Sequence, residues 1–253
     1  MNEPAYCILV PHFNHLPALQ AFLPTLLALD LPGIVVDDGS RVDVKDKLRD
    51  LLAPYSDFEL AEHAANKGKG AAILTGARLA RARGFSHILQ IDADGQHDVS
   101  DAHKFIEYSK SSPEQIVSGS PTFDHNAPKA RVHGRKITNF WVALETLSFG
   151  VKDSLCGFRI YPLTQFEQVA ENYHLGLRMD FDTEILVKAV WHGISLHFIR
   201  TRVIYPPQSV SHFHYLRDNL NLIWLHTRLM AGMLIRLPRL LVWRLSGRTA
   251  STP

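Results

Sequence analysis

The chain has 253 residues, of which 46% are hydrophobic and 21% charged, a composition that is typical of globular proteins and excludes a disordered one. Its two cysteines, Cys7 and Cys156, are too few for a disulfide scaffold or a cysteine-based zinc site, and they fit a reducing compartment. Because no uncharged apolar stretch of about 18 residues and no signal-peptide pattern is present, we expect neither a transmembrane helix nor a leader.

The formal net charge of +2 is unevenly distributed along the chain. Residues 200–253 contain eight arginines, no lysine and a single acid, Asp218, so the remainder of the chain is net acidic. A basic and apolar C-terminal segment on an acidic body predicts an anionic partner, either a membrane surface or a nucleic acid.

Short apolar runs alternate with helical patterns in the first half of the chain. The predicted strands cover residues 6–10, 33–36, 58–61, 87–91 and 115–118. The predicted helices between and after them cover residues 16–29, 43–52, 70–83 and 100–110. Strands separated by helices of about 10–15 residues form βαβ units, so the pattern predicts an α/β fold with a mostly parallel sheet and flanking helices.

The regular alternation of strands and helices ends after residue 120. The expected elements are a loop at 122–129, helices at 132–147 and 181–191, a loop with a short strand at 154–161, and strands at 194–199 and 202–205. A long helical pattern follows at 216–245, which Pro238 is expected to interrupt. We therefore divide the chain into an α/β domain, residues 1–215, and a basic amphipathic helical tail, residues 216–253.

Two of the predicted strands end in acidic residues. IVVDDGS at 34–40 follows the second strand, and ILQIDADGQHD at 88–98 follows the fourth. Ligands of open α/β sheets bind at this carboxyl edge, where the first motif can accept hydrogen bonds from a base or ribose. Asp92 and Asp94 are close enough to share one Mg²⁺ or Mn²⁺ with phosphate oxygens. Each motif alone is equally compatible with an acidic surface turn, but the pair favours a site.

Glycines and lysines open the helix after the third strand, in NKGKGAAILTGARLA at 66–80. Helix N-termini and glycine-rich loops favour anions, although a plain helix start with surface lysines is the alternative. The fingerprints of a P-loop and of a dinucleotide site are both absent.

Taken together, these residues resemble the family 2 glycosyltransferases, in the branch of the dolichyl- and polyprenyl-phosphate mannosyltransferases. The motifs occur in the family's order and spacing: PHFN at 11–14, VVDDGS at 35–40, NKGKG at 66–70, DADGQHD at 92–98, SLCGFRIY at 154–161 and MDFDTEIL at 179–186. The resemblance spans residues 5–215. It implies a nucleotide-binding, GT-A-like fold that transfers a sugar, with inversion, from a nucleotide-diphosphate sugar to an acceptor. In this branch the acceptor is a lipid or polyprenyl phosphate at the membrane surface.

The resemblance also implies roles for individual residues. The nucleotide sugar would be bound by Pro11, Phe13, Val36, Asp38, Lys69, Asp92, Arg131 and Arg135. A divalent metal, Mg²⁺ or Mn²⁺, would be held mainly by Asp94, with Gln96 and Asp92. For the two arginines, a solvated basic helix start is the alternative interpretation.

The same resemblance points to an acid cluster and to an acceptor loop. Asp182 is the first choice for a catalytic carboxylate, followed by Asp180 and Glu184, and capping of a helix is the alternative for the two aspartates. A hydroxyl acceptor needs such a base, whereas a phosphate acceptor is already an anion. Ser211 and His212 lie in a segment similar to the family's acceptor loop.

The chain departs from the family at two places. His15 stands where the family commonly has an acid, in P-x-Y-N-E, and Gly119-Ser120 is followed by Pro121 and a loop where many relatives have an arginine. We therefore expect the choice of donor or acceptor to differ from that of the lipid-phosphate mannosyltransferases.

The tail has a basic stripe and a broad apolar face. Arg217, Arg228 and Arg239 recur every eleven residues, which is about three helical turns. The apolar face comprises Leu222, Leu225, Leu229, Met233, Leu237 and Leu240, with Trp224 and Trp243 in the same helix. This pattern predicts an interfacial helix and a peripheral protein on the inner, cytoplasmic face of the cytoplasmic membrane. Packing on the domain or in an oligomer is the alternative, and nucleic acid is not expected as a partner.

Two other functions remain open. A catalytically silent protein with the sugar-nucleotide fold would serve as a membrane or assembly partner. A haloacid-dehalogenase-like phosphohydrolase begins with D-x-D-G, which the run at 92–95 mimics, but that fold places the motif at its first strand.

Overall fold

The structure is a computed structural model that describes residues 3–123, 129–203 and 215–245. The strands within these ranges are β1 Tyr6–His12, β2 Gly33–Asp37, β3 Phe58–Glu62, β4 His87–Gln90, β5 Ile116–Phe123, β6 Arg159–Pro162 and β7 Leu196–Val203. The helices are α1 Leu16–Leu27, α2 Val42–Leu52, α3 Lys69–Ala82, α4 Ala102–Ser111, α5 Lys129–Thr146, α6 Leu163–Asn172, α7 Phe181–His192 and α8 Tyr215–Leu245.

The seven strands form one sheet in the order β3-β2-β1-β4-β6-β5-β7. β6 runs antiparallel to β4 and to β5, whereas the other neighbouring pairs are parallel. The predicted α/β class with a mostly parallel sheet is therefore confirmed. The strand order reverses at β1, which pairs with β2 on one side and β4 on the other. A crevice forms at such a switch point, outside the carboxyl ends of the strands, and ligands bind there.

Helices cover both faces of the sheet. Because of this, β2 and β4 are buried along their whole length. On one face the core joins the sheet to α3, α6, α7 and α8, with Leu9, Ile73, Phe166, Phe181 and Leu229 among its members. On the other face it joins the sheet to α1, α2 and α4, with Ile8, Leu23, Leu48, Phe105 and Phe158 among its members.

Several elements differ from the sequence-based expectation. β5 continues to Phe123, into the loop predicted at 122–129, because it pairs with β7 up to that residue. The two strands predicted at 194–199 and 202–205 are one strand, β7, because it pairs with β5 over its whole length and this pairing overrides the polar residues in its middle. Helix α6 was not expected; it buries Phe166 and Val169 beneath an otherwise polar sequence. α8 continues through Pro238, which is exposed and removes a single intrahelical hydrogen bond.

α8 packs on the rest of the molecule through its inner face. Leu225, Leu229, Met233 and Leu240 are buried there, and Leu222 and Leu237 pack against the same core. Arg236 lies over the ring of Trp191, 4.9 Å from its centroid. These leucines and Met233 are the face that the sequence predicted for the membrane, and that prediction is corrected, since the domain covers them. An apolar helix face has to be covered, but its sequence does not specify whether a protein core or a bilayer covers it.

A second apolar stripe, the outer face of α8, lies on the opposite side of the helix and is exposed. Its large members are Leu220, Ile223, Trp224, Leu234, Ile235, Leu241, Val242 and Leu245. At 3.6 residues per turn these positions fall within an arc of about 120°, which places them on one side of the helix. None of the helices within the described ranges is long and apolar enough to span a bilayer.

Candidate active site

The ends of β1 and β2 are locked together at the carboxyl edge. The buried Asp37 carboxylate accepts hydrogen bonds from His12 Nδ1 at 2.9 Å and from Ser40 Oγ at 2.5 Å. Burial would raise the pKa of Asp37, but the hydrogen bonds from His12 and Ser40 outweigh it and hold that pKa below its usual value. The backbone amide of Asn14 donates to Ser40 Oγ at 2.8 Å. The motif at 11–14 is therefore fastened to the loop after β2.

Asp38 organises the turn that leads into α3. Its carboxylate is 2% exposed and accepts from the backbone amides of Lys67 at 2.9 Å and Gly68 at 2.7 Å, and from His63 Nδ1 at 2.7 Å. Gly68 has a φ of +105°, and a Cβ there would lie 2.2 Å from the Leu177 carbonyl oxygen, so the turn requires glycine. The predicted contact of Asp38 with a nucleoside stays a prediction.

The other residues predicted for the base pocket differ in accessibility. Pro11 is half-buried and Phe13 is 41% exposed at the end of β1, so both side chains are accessible from the crevice. Val36 is fully buried in the core beneath α3, and its side chain does not line the crevice. Val36 was expected to line the base pocket. Its side chain instead points from β2 into the core on the α3 side of the sheet.

Lys69 joins two carboxylates that are far apart in the sequence. Its ammonium lies 2.7 Å from Asp92 Oδ1 and 2.6 Å from Asp182 Oδ2. Burial would lower the pKa of Lys69, but Asp182 and Asp92 outweigh it and keep that pKa above its usual value. A Cβ on Gly157 would lie 2.0 Å from Asp92 Oδ2. The glycine of SLCGFRIY therefore makes room for the Asp92 carboxylate.

Arg159 is a component of the site that the sequence analysis missed. It begins β6 beside the end of β4, and its fully buried guanidinium donates to the Asp182 backbone carbonyl at 2.8 Å and the Ser154 carbonyl at 2.8 Å. The same group is 3.8 Å from Asp182 Oδ1. An arginine inside the apolar run GFRIY was the available signal, because a buried cation requires a partner.

Asp94 is the residue best suited to hold a divalent cation. Its Oδ1 accepts the backbone amide of Gln96 at 3.0 Å. Burial, and next the charge of Asp92, raise the pKa of Asp94 above its usual value, and a bound cation would relieve both effects. No cluster of three metal-binding side chains occurs among the described residues. The donor set thus fits an ion that is held by one or two carboxylates and completed by substrate phosphates.

The acid cluster at the start of α7 is divided between two sites. Asp182 faces Lys69, whereas Asp180 and Glu184 face α8, where Arg228 donates to Glu184 Oε1 at 2.6 Å and to Asp180 Oδ2 at 3.4 Å. Asp180 makes no side-chain capping bond to α7. Only Asp182 therefore belongs to the Lys69 cluster.

The remaining predicted residues are partly outside the described residues. Arg135 pairs with the buried Asp153 at 2.6 Å, and its guanidinium lies 5.4 Å from the centroid of the Phe123 ring. Arg131 lies outside the described side chains, and Ser211 and His212 lie outside the described residues.

Several proteins of known name are similar to the chain in sequence. A dolichyl-phosphate beta-glucosyltransferase, ALG5D, from Trichomonas vaginalis is 33% identical over 166 residues, which cover 62% of this chain and 49% of that protein. The chain thus matches about half of the length of that relative. A UDP-N-acetylglucosamine--dolichyl-phosphate N-acetylglucosaminyltransferase from Methanococcus voltae is 24% identical over 227 residues, covering 83% of this chain and 90% of that protein.

Solved structures share the fold. The mannosyltransferase PcManGT from Pyrobaculum calidifontis, in complex with GDP-Man and Mn²⁺, has a TM-score of 0.60 at 16% identity, covering 89% of this chain and 64% of that one. The mannosyl-3-phosphoglycerate synthase from Rubrobacter xylanophilus has a TM-score of 0.65 at 16% identity, covering 93% of this chain and 75% of that one. At these identities the likeness concerns the fold alone, and it confirms the GT-A-like prediction.

The haloacid-dehalogenase alternative does not agree with these findings, because the D-x-D-G run follows β4 and not the first strand. The sequence profile described as "Glycosyl transferase family 2" matches residues 7–173, which is more than half of the chain. The chain belongs to glycosyl transferase family 2.

Proposed function

We propose that the protein is a glycosyltransferase that moves a sugar from a nucleotide-diphosphate sugar to a phosphate on a polyprenyl-type lipid, with inversion, at a membrane surface. The observation that carries the proposal is the cluster at the switch point, where Lys69 joins Asp92 and Asp182, with Asp94 close enough to Asp92 to feel its charge. The relatives named for dolichyl phosphate support the acceptor class.

The donor lies along the carboxyl edge of β1, β2 and β4 in this proposal. Pro11 and Phe13 contact the base, and the turn held by Asp38 supports the ribose side. Arg135, with Arg131, binds the diphosphate. Asp94, with Asp92 and Gln96, holds Mg²⁺ or Mn²⁺, which when bound neutralises the departing diphosphate.

Asp182 and Lys69 act on the acceptor side. A phosphate acceptor arrives as an anion and attacks the anomeric carbon directly from the side opposite the diphosphate, which inverts the configuration. Asp182 then has no proton to take, and it orients the acceptor and sugar. With a hydroxyl acceptor, Asp182 is the carboxylate that removes the proton. Lys69 and Arg159 hold the Asp182 carboxylate in place in either case.

The membrane contact is assigned to the outer face of α8. Ile235 on this face is 80% exposed, and α5 adds Ile137 and Phe140 as exposed apolar side chains. Exposed apolar surface of this extent marks a protein or membrane contact. Arg239 is exposed on the same helix, where it suits anionic lipid headgroups. The inner, cytoplasmic leaflet remains the expected location.

The test is transfer from UDP-glucose, UDP-N-acetylglucosamine and GDP-mannose to a short-chain polyprenyl phosphate, with Mn²⁺ or Mg²⁺ and with saturating chelator. We expect transfer from one donor, its loss with chelator, and its loss in Asp94→Asn without a change in melting temperature. A donor that raises the melting temperature without any transfer would favour the catalytically silent alternative. Transfer that persists in Asp94→Asn would overturn the metal assignment.

A further inference from the structure

The C-terminal helix reaches the first turn of α7. Arg228 of α8 donates to Glu184 Oε1 at 2.6 Å and lies 3.4 Å from Asp180 Oδ2. These two acids flank Asp182, the carboxylate that contacts Lys69. Leu225 and Leu229 on the same helix are each 1% exposed, so α8 is anchored in the core next to Arg228. The helix therefore holds the guanidinium against the two acids.

The two acids in turn hold the turn at residues 176–178. Glu184 Oε2 accepts the backbone amide of Gly176 at 2.8 Å, and Asp180 Oδ1 accepts that of Arg178 at 3.1 Å. A Cβ on Gly176 would lie 2.0 Å from Asp180 Oδ2, so the carboxylate rests directly on the backbone of the turn. Both oxygens of Glu184 therefore accept hydrogen bonds: Oε1 from Arg228, and Oε2 from Gly176 and also from Lys188 at 2.5 Å.

The other side of the 176–178 turn touches the start of α3. The Leu177 carbonyl accepts the backbone amide of Ala71 at 3.1 Å. A Cβ on Gly70 would lie 2.7 Å from the Gly176 carbonyl oxygen. Lys69, which precedes Gly70, extends to Asp182 and Asp92. A continuous set of contacts therefore connects the C-terminal helix with the lysine at the centre of the candidate site.

We propose that Arg228 is a positioning residue: by clamping Glu184 and Asp180 it fixes the 176–178 turn and the start of α3, and thereby the placement of Lys69 between Asp92 and Asp182. The seating of α8 is thus coupled to the geometry of the site. The effect on turnover rests on the proposed function, whereas the mechanical coupling does not.

Arg228→Gln tests the coupling, with Arg228→Lys as the conservative variant. Arg81→Gln is the matched control, because Arg81 forms an interhelical ion pair with Glu167 at 2.7 Å, at the opposite end of α3. Its side chain is 39% exposed, against 33% for Arg228. Removing Arg228 leaves Glu184 paired with Lys188, so we expect the variant to fold.

Amide hydrogen exchange is the readout that does not depend on the reaction. We expect the exchange rates of the Gly176 and Ala71 amides to rise about 10-fold in Arg228→Gln and to stay unchanged in Arg81→Gln. Faster exchange at Gly176 without a change at Ala71 would overturn the proposal, since Arg228 would then only anchor α8. Equal changes in both variants would overturn it as well.

Turnover gives the second readout. At saturating donor we expect Arg228→Gln to lower kcat about 10-fold while the KM for donor changes less than about 2-fold, and Arg228→Lys to recover part of the loss. A fall in melting temperature with an unchanged kcat would contradict the positioning role. If the wild-type protein transfers no sugar, the proposed function fails, and the exchange rates alone decide the coupling.

Discussion

The two sides of the crevice stabilise their acids in different ways. On the β1–β2 side, Asp37 and Asp38 are held by backbone amides, a serine, His12 at the end of β1 and His63 after β3. On the α7 side, Asp182 is paired mainly with a lysine from α3 and an arginine from β6. Glu184 is paired with Lys188 of α7 and an arginine from α8, and it also accepts one backbone amide.

This difference bears on how each side responds to change. Backbone amides cannot rotate away, so the β1–β2 side is organised before any ligand arrives. The α7 side depends on long side chains from distant elements. The positions of its carboxylates therefore change when α3, β6 or α8 shifts. We therefore expect the donor pocket to tolerate perturbation of α8, and the Lys69 cluster to respond to it.

Among the variants that compare the two sides, the largest effect is expected where they meet, in Gly157→Ala. The added Cβ would lie 2.0 Å from Asp92 Oδ2 and displace the carboxylate from Lys69. A displacement of about 1 Å costs on the order of 100-fold in turnover. Gly134→Ala is the control, since a Cβ there meets nothing within 4 Å. Turnover of Gly157→Ala within about 3-fold of the wild type would show that the contact between Asp92 and Lys69 is dispensable.

Asp38→Ala tests the rigidity of the β1–β2 side. The change leaves the part-buried amide of Lys67 and the buried amide of Gly68 without their acceptor, so we expect a loss of about 2–4 kcal/mol in the free energy of unfolding, measured with urea. Asp43→Ala, which removes an exposed pair with Arg41, should lose less than about 1 kcal/mol. Similar losses in the two variants would remove the distinction between the two sides.

The outer face of α8 is tested by Ile223→Ser, Trp224→Ser and Ile235→Ser together. Because these side chains are exposed, we expect an unchanged melting temperature but at least about 10-fold weaker binding to phosphatidylglycerol vesicles in sedimentation. Val42→Ser, an exposed valine on α2, is the control. Arginine variants are less suitable, since Arg228 and Arg236 contact the domain. Undiminished vesicle binding would point to another surface.

The smallest effect concerns Glu145 beneath α8. Burial raises the pKa of Glu145, against a hydrogen bond from His226 Nδ1 at 2.8 Å. A carboxyl with a raised pKa contributes stability at low pH and loses that contribution as the pH rises through the folded-state pKa. We therefore expect the melting temperature of Glu145→Gln, relative to the wild type, to increase from pH 4 to pH 8.

Glu59→Gln should show the opposite trend. The hydrogen bond from Arg83 lowers the pKa of Glu59, so this carboxyl contributes stability above its usual pKa and loses it as the pH falls. A melting-temperature difference for Glu145→Gln that is independent of pH would contradict the assigned cause.

Much of the β1–β2 side, where the donor is proposed to bind, could be predicted from the sequence. Apolar strands, the helices between them and the acids at their ends are local features, and parallel strands bring their carboxyl ends to one edge. Asp92 and Asp94 were therefore predicted to lie together at this edge, whereas Lys69 was assigned to the nucleotide site only through the family resemblance. Asp38 was predicted at the same edge, but its bonds to the turn at 66–68 depend on how that turn folds back.

The contacts of the α7 side were determined by the tertiary structure. The sequence by itself determined that Asp180, Asp182 and Glu184 share the start of a helix and that residues 216–245 form an amphipathic one. It did not determine that Asp182 meets Lys69 while Glu184 meets Arg228, nor that Arg159 lies beneath them. Ion pairs between distant elements depend on packing, and an apolar helix face is equally suited to a protein core or a bilayer. Only the folded chain assigned the inner face of α8 to the domain and left its outer face exposed.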